Sequence, residues 1–346
     1  MSLVRPSPRL ASEILTVRDE SGGSVYCAFP SVANRSGKVL LAYKRGNHNH
    51  LPPQSIRFTS RDEAFGSSWA SDLEVMAYDA INDRSPADPD LFVTSSGRYL
   101  LTTTYVNNGG VYYRQPHASI SDDAGNTWGA HSAILSRFAA WDSPCRAVEI
   151  DGRIWLAHYG GEPGDVGFYR VGLTYSDDDG STWTAGPQIA SGALTGMQFE
   201  EPGLGALPDG RVVCAMRTDS RSQVFVSFAD NPSGAWSLPT TVARGYGKAA
   251  FSVNASGTML LIQRWPENDS GGQGVAFYVL EIGADNVVRG SRPAFLDPLC
   301  PRTGTRSQMY GTSTILANGT IVAVWSSAGG NHYTEGATIY EAEIAV

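Results

Sequence analysis

Short apolar runs alternate with small polar turns along the whole chain. A small polar residue followed by Gly precedes an apolar run six times. The copies are Ser36-Gly37 before VLLAY, Ser96-Gly97 before YLLTTTY, Asp151-Gly152 before IWLAHY, Asp209-Gly210 before VVCAM, Ser256-Gly257 before MLLIQ and Asn318-Gly319 before IVAVW. The six glycines are separated by 60, 55, 58, 47 and 62 residues. Gly adopts positive φ without steric cost, so each turn suits a two-residue hairpin. The runs behind the turns are too short, and too rich in β-branched and aromatic residues, for helices. Another short strand precedes each turn, as in CAFPSVA, PDLFVT and GLGAL. The pattern predicts six repeated units of antiparallel strands.

Composition narrows this further. Of 346 residues, 42% are hydrophobic and 17% charged, which excludes a disordered chain. Gly and Pro number 38 and 19, and aromatics make up 10%, a balance that favours many short strands. Lys plus Arg is 26 and Asp plus Glu is 34, for a net charge of −8. Neither nucleic acid nor an anionic membrane is therefore an expected partner. No apolar stretch has the roughly 18 residues of a membrane-spanning helix. The start, Met1 to Leu10, carries Arg5, Pro6, Pro8 and Arg9 without an apolar segment, so it does not read as a signal peptide, and the compartment stays open. Cys27, Cys145, Cys214 and Cys300 lack metal-ligand spacing and lie in or near apolar runs, so buried free thiols are expected. No clustered metal ligands and no Gly-rich phosphate loop are visible, so no cofactor is expected.

A second motif is more specific. Ser121 to Trp128 (SDDAGNTW) and Ser176 to Trp183 (SDDDGSTW) both read S-x-D-x-G-x-T-W. Looser copies run from Ser60 through Asp62 and Gly66 to Trp69, and from Ser227 through Asp230 and Gly234 to Trp236. Asp accepts backbone N–H bonds across such a turn, Gly permits the reversal, and Trp covers the hairpin beneath. The motif is a structural staple and carries no catalytic weight. It resembles the Asp-box of the sialidase (neuraminidase) superfamily, and the likeness covers roughly residues 20–346. The resemblance implies an all-β fold: a six-bladed β-propeller of four-stranded antiparallel blades. The repeat divides residues 1–346, read as one propeller domain, into approximate blades 20–80, 81–137, 138–192, 193–243, 244–299 and 300–346, with the first and last sharing strands to close the ring.

Equivalent positions in a radial repeat face the same region. Nine residues before each turn glycine lie Ala28, Asp88, Ser143, Glu201, Lys248 and Tyr310; seven after it lie Lys44, Thr104, Tyr159, Arg217, Arg264 and Ser326. Four of the twelve are cationic, two are carboxylates and only Ala28 is aliphatic, which does not describe a core layer. Either these charges pair with one another in a wet channel, or they form a site for an anionic ligand. In the second case Arg217 and Arg264 present planar forks to a carboxylate, and Lys248 and Lys44 add point charge.

The resemblance gives these positions roles. Met197 to Thr218 is similar to the family segment in which a Glu precedes an Arg by one strand–turn–strand, here Glu201 and Arg217. Tyr310, in QMYGTSTIL, matches the family Tyr that opens the last blade. The resemblance implies Tyr310 as nucleophile and Glu201 as its base. A phenol with an ordinary pKa near 10 needs a neighbouring carboxylate to take its proton. Two departures stand out. The family's Tyr-Arg-Ile-Pro reads Tyr26-Cys27-Ala28-Phe29-Pro30 here, so Ala28 replaces an arginine whose charge Lys44 or Arg45 would supply. The family's acid Asp belongs to a loop that here reads GNHNHLPP over residues 46–53, without Asp or Glu. His48 or His50 there, or Asp88 on the next blade, is left to transfer the proton. The family's third arginine falls near Gly271 to Gly274, where there is none, and Arg264 lies a few residues earlier.

Three functions fit this sequence. The first is a sialidase-like retaining exo-glycosidase on a sialic-acid-like or other acidic sugar. Its nucleophile is Tyr310, its base Glu201, its acid His50 or Asp88, and Arg217, Arg264 and Lys248 hold the carboxylate. The second is a polysaccharide lyase on uronate-containing glycans, with Tyr310 and a loop His as base and acid. The third is a non-catalytic propeller that binds an acidic glycan.

Overall fold

The computed structural model describes residues 9–10, 15–18, 26–46, 53–107, 114–165, 168–218, 223–267, 272–290, 294–295, 310–328 and 337–345. The fold is a six-bladed β-propeller of antiparallel blades. The innermost strands are Tyr26–Arg35, Arg84–Val93, Trp141–Ile150, Phe199–Ala206, Tyr246–Val253 and Gly311–Ile315. Each packs against the next, and the last packs against the first, so the ring is closed. Blades 2, 3 and 4 are separate four-stranded sheets. Blade 5 adds a short strand, Ala294–Phe295, to its third strand. Blade 6 takes its outer strand from the other end of the chain: Leu15–Arg18 pairs with Ala337–Ala345. A single parallel pair, Ala337 with Tyr26, joins blades 6 and 1 into one sheet. The strand Thr240–Arg244 crosses the expected division at 243/244 by one residue. Among the described residues no helix is long and apolar enough to cross a membrane.

The apolar runs form no single central core. Each pair of neighbouring blades buries its own layer. Trp155 and Leu173 of blade 3 meet Phe199 and Met216 of blade 4, and Phe58 and Met76 of blade 1 meet Leu91 and Tyr105 of blade 2. This follows from strands with side chains on both faces: every inner strand is sandwiched between two blades. Cys27, Cys145 and Cys214 are buried free thiols within these layers; Cys300 lies outside the described residues.

The Asp-boxes join third to fourth strands. In blade 3, Asp178 accepts from the Thr182 amide at 2.7 Å and from its hydroxyl at 2.7 Å, while Ser176 Oγ accepts from the Gly180 amide at 2.8 Å. Asp123, Thr127, Ser121 and Gly125 repeat this arrangement in blade 2. Gly180 (φ 85°) and Gly125 (φ 86°) adopt the left-handed backbone that the turn demands. The Trp183 indole donates to Gly180 O at 3.0 Å.

Two-residue hairpins occur only in blades 1 and 3, where Arg35 pairs with Lys38 and Ile150 with Arg153. Both central residues have positive φ there: Ser36 and Gly37, and Asp151 and Gly152. Blades 2, 4, 5 and 6 instead close across five residues, as between Val93 and Tyr99 or Ala206 and Val212. There the glycine amide bonds back to the carbonyl three residues earlier, as Gly210 does to Leu207. The longer turn moves the strand pairing by one position, which corrects the count from the glycine. Lys44, Thr104, Tyr159 and Arg217 do occupy matching places, opposite Ala28, Ala87, Ser143 and Glu200. The residues that match Glu201 and Asp88 are therefore Phe29 and Pro144, rather than Ala28 and Ser143.

Candidate functional site

The inner strands share an irregularity that the sequence pattern does not reveal. In blades 1 to 5 the pairing with the second strand slips, between Ala28 and Ser31, Ala87 and Asp90, Pro144 and Ala147, Glu200 and Gly203, and Tyr246 and Ala250. Phe29, Asp88 and Glu201, at the same place in three of these bulges, have φ of 54°, 53° and 46°. Such conformations are strained for residues with a side chain and collect at functional sites. A bulge breaks the two-residue alternation and re-aims side chains. Here it lets the consecutive Glu200 and Glu201 reach the same arginine.

That arginine is Arg217, on the second strand of blade 4. Its Nε donates to Glu201 Oε2 at 2.7 Å, and its Nη2 lies 2.6 Å from Glu200 Oε2. The other Glu201 oxygen, Oε1, accepts the Tyr310 hydroxyl at 3.2 Å. Tyr310 rests on the Phe29 ring, centroids 4.4 Å apart, in a small apolar cluster with Tyr26, Ala28 and Ala337. The tyrosine thus has an apolar bed on one side and a carboxylate at its oxygen. Burial is the largest single influence and works against the Glu201 carboxylate, but Arg217, Arg114 and the Tyr310 hydroxyl together hold the group below the ordinary carboxylate range. Burial pushes Glu200 the other way, up to about 7, despite Arg217. Two carboxylates beside one guanidinium cannot ionise equally easily, and the one that also accepts the tyrosine hydrogen bond keeps its charge.

Asp88, Tyr159, Lys248, Cys145 and Pro30 line a narrow cavity with Tyr310 and Glu201. Lys248 reaches Asp90 Oδ1 and Pro89 O, each at 3.3 Å. Burial pulls its ammonium down, yet Asp90 leaves it above the usual lysine range. Lys44 is almost fully buried, with Nζ 4.9 Å from the centre of the Phe29 ring. Burial lowers its pKa to about 8, Asp88 opposing and Arg114 adding to the fall. Arg45 follows Lys44 along the same strand and pairs opposite Cys27. Strand alternation therefore starts its side chain on the other face from Lys44. Arg264 lies on the strand Thr258–Glu267, paired with Tyr246 and Val275. His48 and His50 lie outside the described residues.

Two participants escaped the sequence reading. Glu200 sits one position before the expected base, and only the bulge gives it the same partner. Arg114 opens the third strand of blade 2, an element the turn-glycine count never reaches. Its Nη1 donates to Tyr159 Oη at 2.8 Å and stands 4.0 Å from Asp88 Oδ2, with the guanidinium 5.7 Å from the Trp141 ring centre. An arginine preceded by two tyrosines, in VYYRQPH, is the signal that was available. The cations Arg217, Arg114, Lys44 and Lys248 stand among the carboxylates Glu200, Glu201, Asp88 and Asp90. Among the described residues no group of three or more His, Cys, Asp or Glu is suited to a metal ion.

Comparison with known proteins agrees with this architecture. A Hadza microbial sialidase superposes with a TM-score of 0.72 at 16% identity, over 92% of this chain and 65% of its own. A Trypanosoma rangeli sialidase in complex with sialic acid gives 0.69 at 11% identity, over 98% and 59%. An intramolecular trans-sialidase from Ruminococcus gnavus, in complex with oseltamivir carboxylate, gives 0.68 at 14%, over 96% of each chain. The chain thus spans about two thirds or less of the first two and nearly all of the third. No curated protein matches it in sequence. At these identities the structural likeness establishes the fold. The sequence itself matches the family described as BNR repeat-like domain over residues 37–343, and the chain belongs to that family.

Proposed function

We propose that the protein is a sialidase-like retaining exo-glycosidase acting on an acidic sugar, with Tyr310 as nucleophile and Glu201 as its base. The observation that carries this reading is the contact between the Tyr310 hydroxyl and a Glu201 carboxylate kept ionised by Arg217. Tyr310 Oη attacks the anomeric carbon, Glu201 takes the phenolic proton, and the bond to the leaving oxygen breaks as an acid protonates that oxygen. Asp88 is the described candidate for this acid; His48 and His50 are the candidates outside the described residues. Water, giving a proton to the group that served as acid, then displaces the tyrosine, which regains its proton from Glu201; attack from the same face that the aglycone left retains the anomeric configuration. A neutral phenol approaches an anionic sugar without the repulsion that a carboxylate nucleophile meets.

Arg217 and Lys248 are both held by carboxylates, so the net charge offered to the substrate depends on protonation. With Glu200 neutral the eight charged groups sum to +1, and with Glu200 ionised they sum to zero. Sugar-carboxylate binding then rests on Arg114 and Lys44 beside Arg217. The similar structures in complex with sialic acid and with oseltamivir carboxylate support an acidic ligand for this site. The test is to incubate the protein with acidic glycosides bearing a good leaving group, quench in acid and map adducts by mass spectrometry. A glycosyl adduct on the peptide that contains Tyr310, absent in Tyr310→Phe, is the expected result. Turnover without any adduct, accompanied by an unsaturated product, would replace this reading with a lyase. Saturable binding without turnover in both proteins would replace it with a glycan-binding propeller.

A further inference from the structure

The channel has a second cavity, at the turn ends of the inner strands and away from Tyr310. It is an open cavity of about 320 Å³ and draws its walls from the inner strands of all six blades, including Asn34, Leu91, Leu204, Phe251 and Thr314. Apart from the single parallel pair at Tyr26, each of those strands pairs with a second strand on one side among the described residues, so its other edge faces the channel. Arg146 is the one charged residue in this wall. It makes no hydrogen bond and no ion pair among the described residues. Its guanidinium lies over the Phe251 ring, 6.0 Å from the centre.

The nearest source of compensation is already committed. Asp90 holds Lys248 and the Ser31 hydroxyl through one oxygen, at 3.3 and 3.2 Å, and the Ala147 amide through the other at 3.3 Å. Its charge also acts on Arg146. An arginine does not lose its proton in a protein, so Arg146, half-buried in this wall, keeps five donors and a full charge lining the cavity. A second donor points the same way. Thr314 Oγ1 donates to Asn34 Oδ1, which turns the Asn34 amide NH₂ away from that bond, and both residues line the cavity.

We propose that this lower cavity is a second binding site, taking a small oxyanion, a phosphate or carboxylate group, held by the Arg146 fork and the Asn34 amide. It is independent of the reading of the Tyr310 site. The planar fork of arginine matches two oxygens of either group, and the wall holds no carboxylate to repel them.

The test uses the whole chain, titrated calorimetrically with inorganic phosphate and, in a separate arm, with acetate. Wild type, Arg146→Met and Arg146→Lys are compared, and a wild-type crystal is soaked in selenate. At least one ion is expected to bind wild type about tenfold or more tightly than Arg146→Met, with Arg146→Lys in between. The selenate anomalous peak is expected against the Arg146 guanidinium, and binding or turnover of glycosides is expected to be unchanged in both variants. The preferred arm identifies the group as phosphate or carboxylate. Equal binding by all three proteins, no titration of either ion, or selenate found only beside Tyr310 and Arg217 would overturn the proposal. If Arg146→Met does not fold, Arg146→Lys and the selenate position decide it.

Discussion

The two ends of each blade use the repeat in opposite ways. At the Asp-box end, equivalent positions carry the same residues and do the same work. Ser121 and Ser176 accept from the glycine amide, and Asp123 and Asp178 accept from the threonine. At the bulge end, equivalent positions carry different residues: Phe29, Asp88, Pro144 and Glu201. A turn needs the same local hydrogen bonds wherever it occurs, so repetition suits it. A site needs several unlike groups converging on one ligand, and a closed ring of bulged strands supplies a similar backbone for each. Repetition builds the scaffold here, and its loss at one register brings unlike groups together at the candidate site.

The sharpest way to break that comparison is to remove one group from each end. Tyr310→Phe deletes only the hydroxyl, so turnover of an acidic glycoside is expected to fall by at least about 10²-fold, with little change in the melting temperature. The converse change, Asp178→Ala, removes three hydrogen bonds, from Ser176 and from the Thr182 amide and hydroxyl, far from the channel. It is expected to cost about 1–3 kcal/mol in denaturant unfolding while turnover at a permissive temperature is unchanged. If Asp178→Ala instead abolished turnover with stability intact, the division of labour would be wrong.

A smaller effect is expected from Lys44→Met. Lys44 is charged only below about 8, and Glu200 becomes charged above about 7. Both changes lower the net charge of the site as pH rises, so affinity for an acidic ligand is expected to weaken through pH 7 to 8. Lys44→Met should weaken binding about tenfold at pH 6 and remove the upper part of that dependence, measured by titration with an acidic sugar. Glu200→Gln probes the lower part. Its folded pKa stands above the ordinary value of 4.5, so the protein loses stability as pH rises from that value through about 7. Glu200→Gln should flatten the decline in melting temperature across that window, the smallest of these effects.

The fold was legible because its signals are local and repeated. Six glycine turns and two intact Asp-boxes each need only a few consecutive residues, and each recurs at a spacing set by one blade. The site was legible only where the repeat register survived. Tyr310, Glu201 and Arg217 lie in blades with five-residue turns, and the count reached them. It slipped by one in blades 1 and 3, because Ser36-Gly37 and Asp151-Gly152 close tighter hairpins. Glu200 and Arg114 were hidden for physical reasons. A bulge is a property of strand pairing, invisible in a string of residues, and Arg114 enters the site from a third strand. The compensation of Lys248 by Asp90 was likewise hidden, since it joins blade 5 to blade 2 across the channel.

The central claim is that Tyr310, activated by Glu201, is the nucleophile of a retaining reaction. Time-resolved NMR on a panel of sialyl, Kdo and uronyl glycosides tests it most directly, with wild type beside Tyr310→Phe. Wild type is expected to release a free acidic sugar whose first-formed anomer matches that of the substrate, and the variant none. A first-formed anomer of inverted configuration, or undiminished release by Tyr310→Phe, would contradict it.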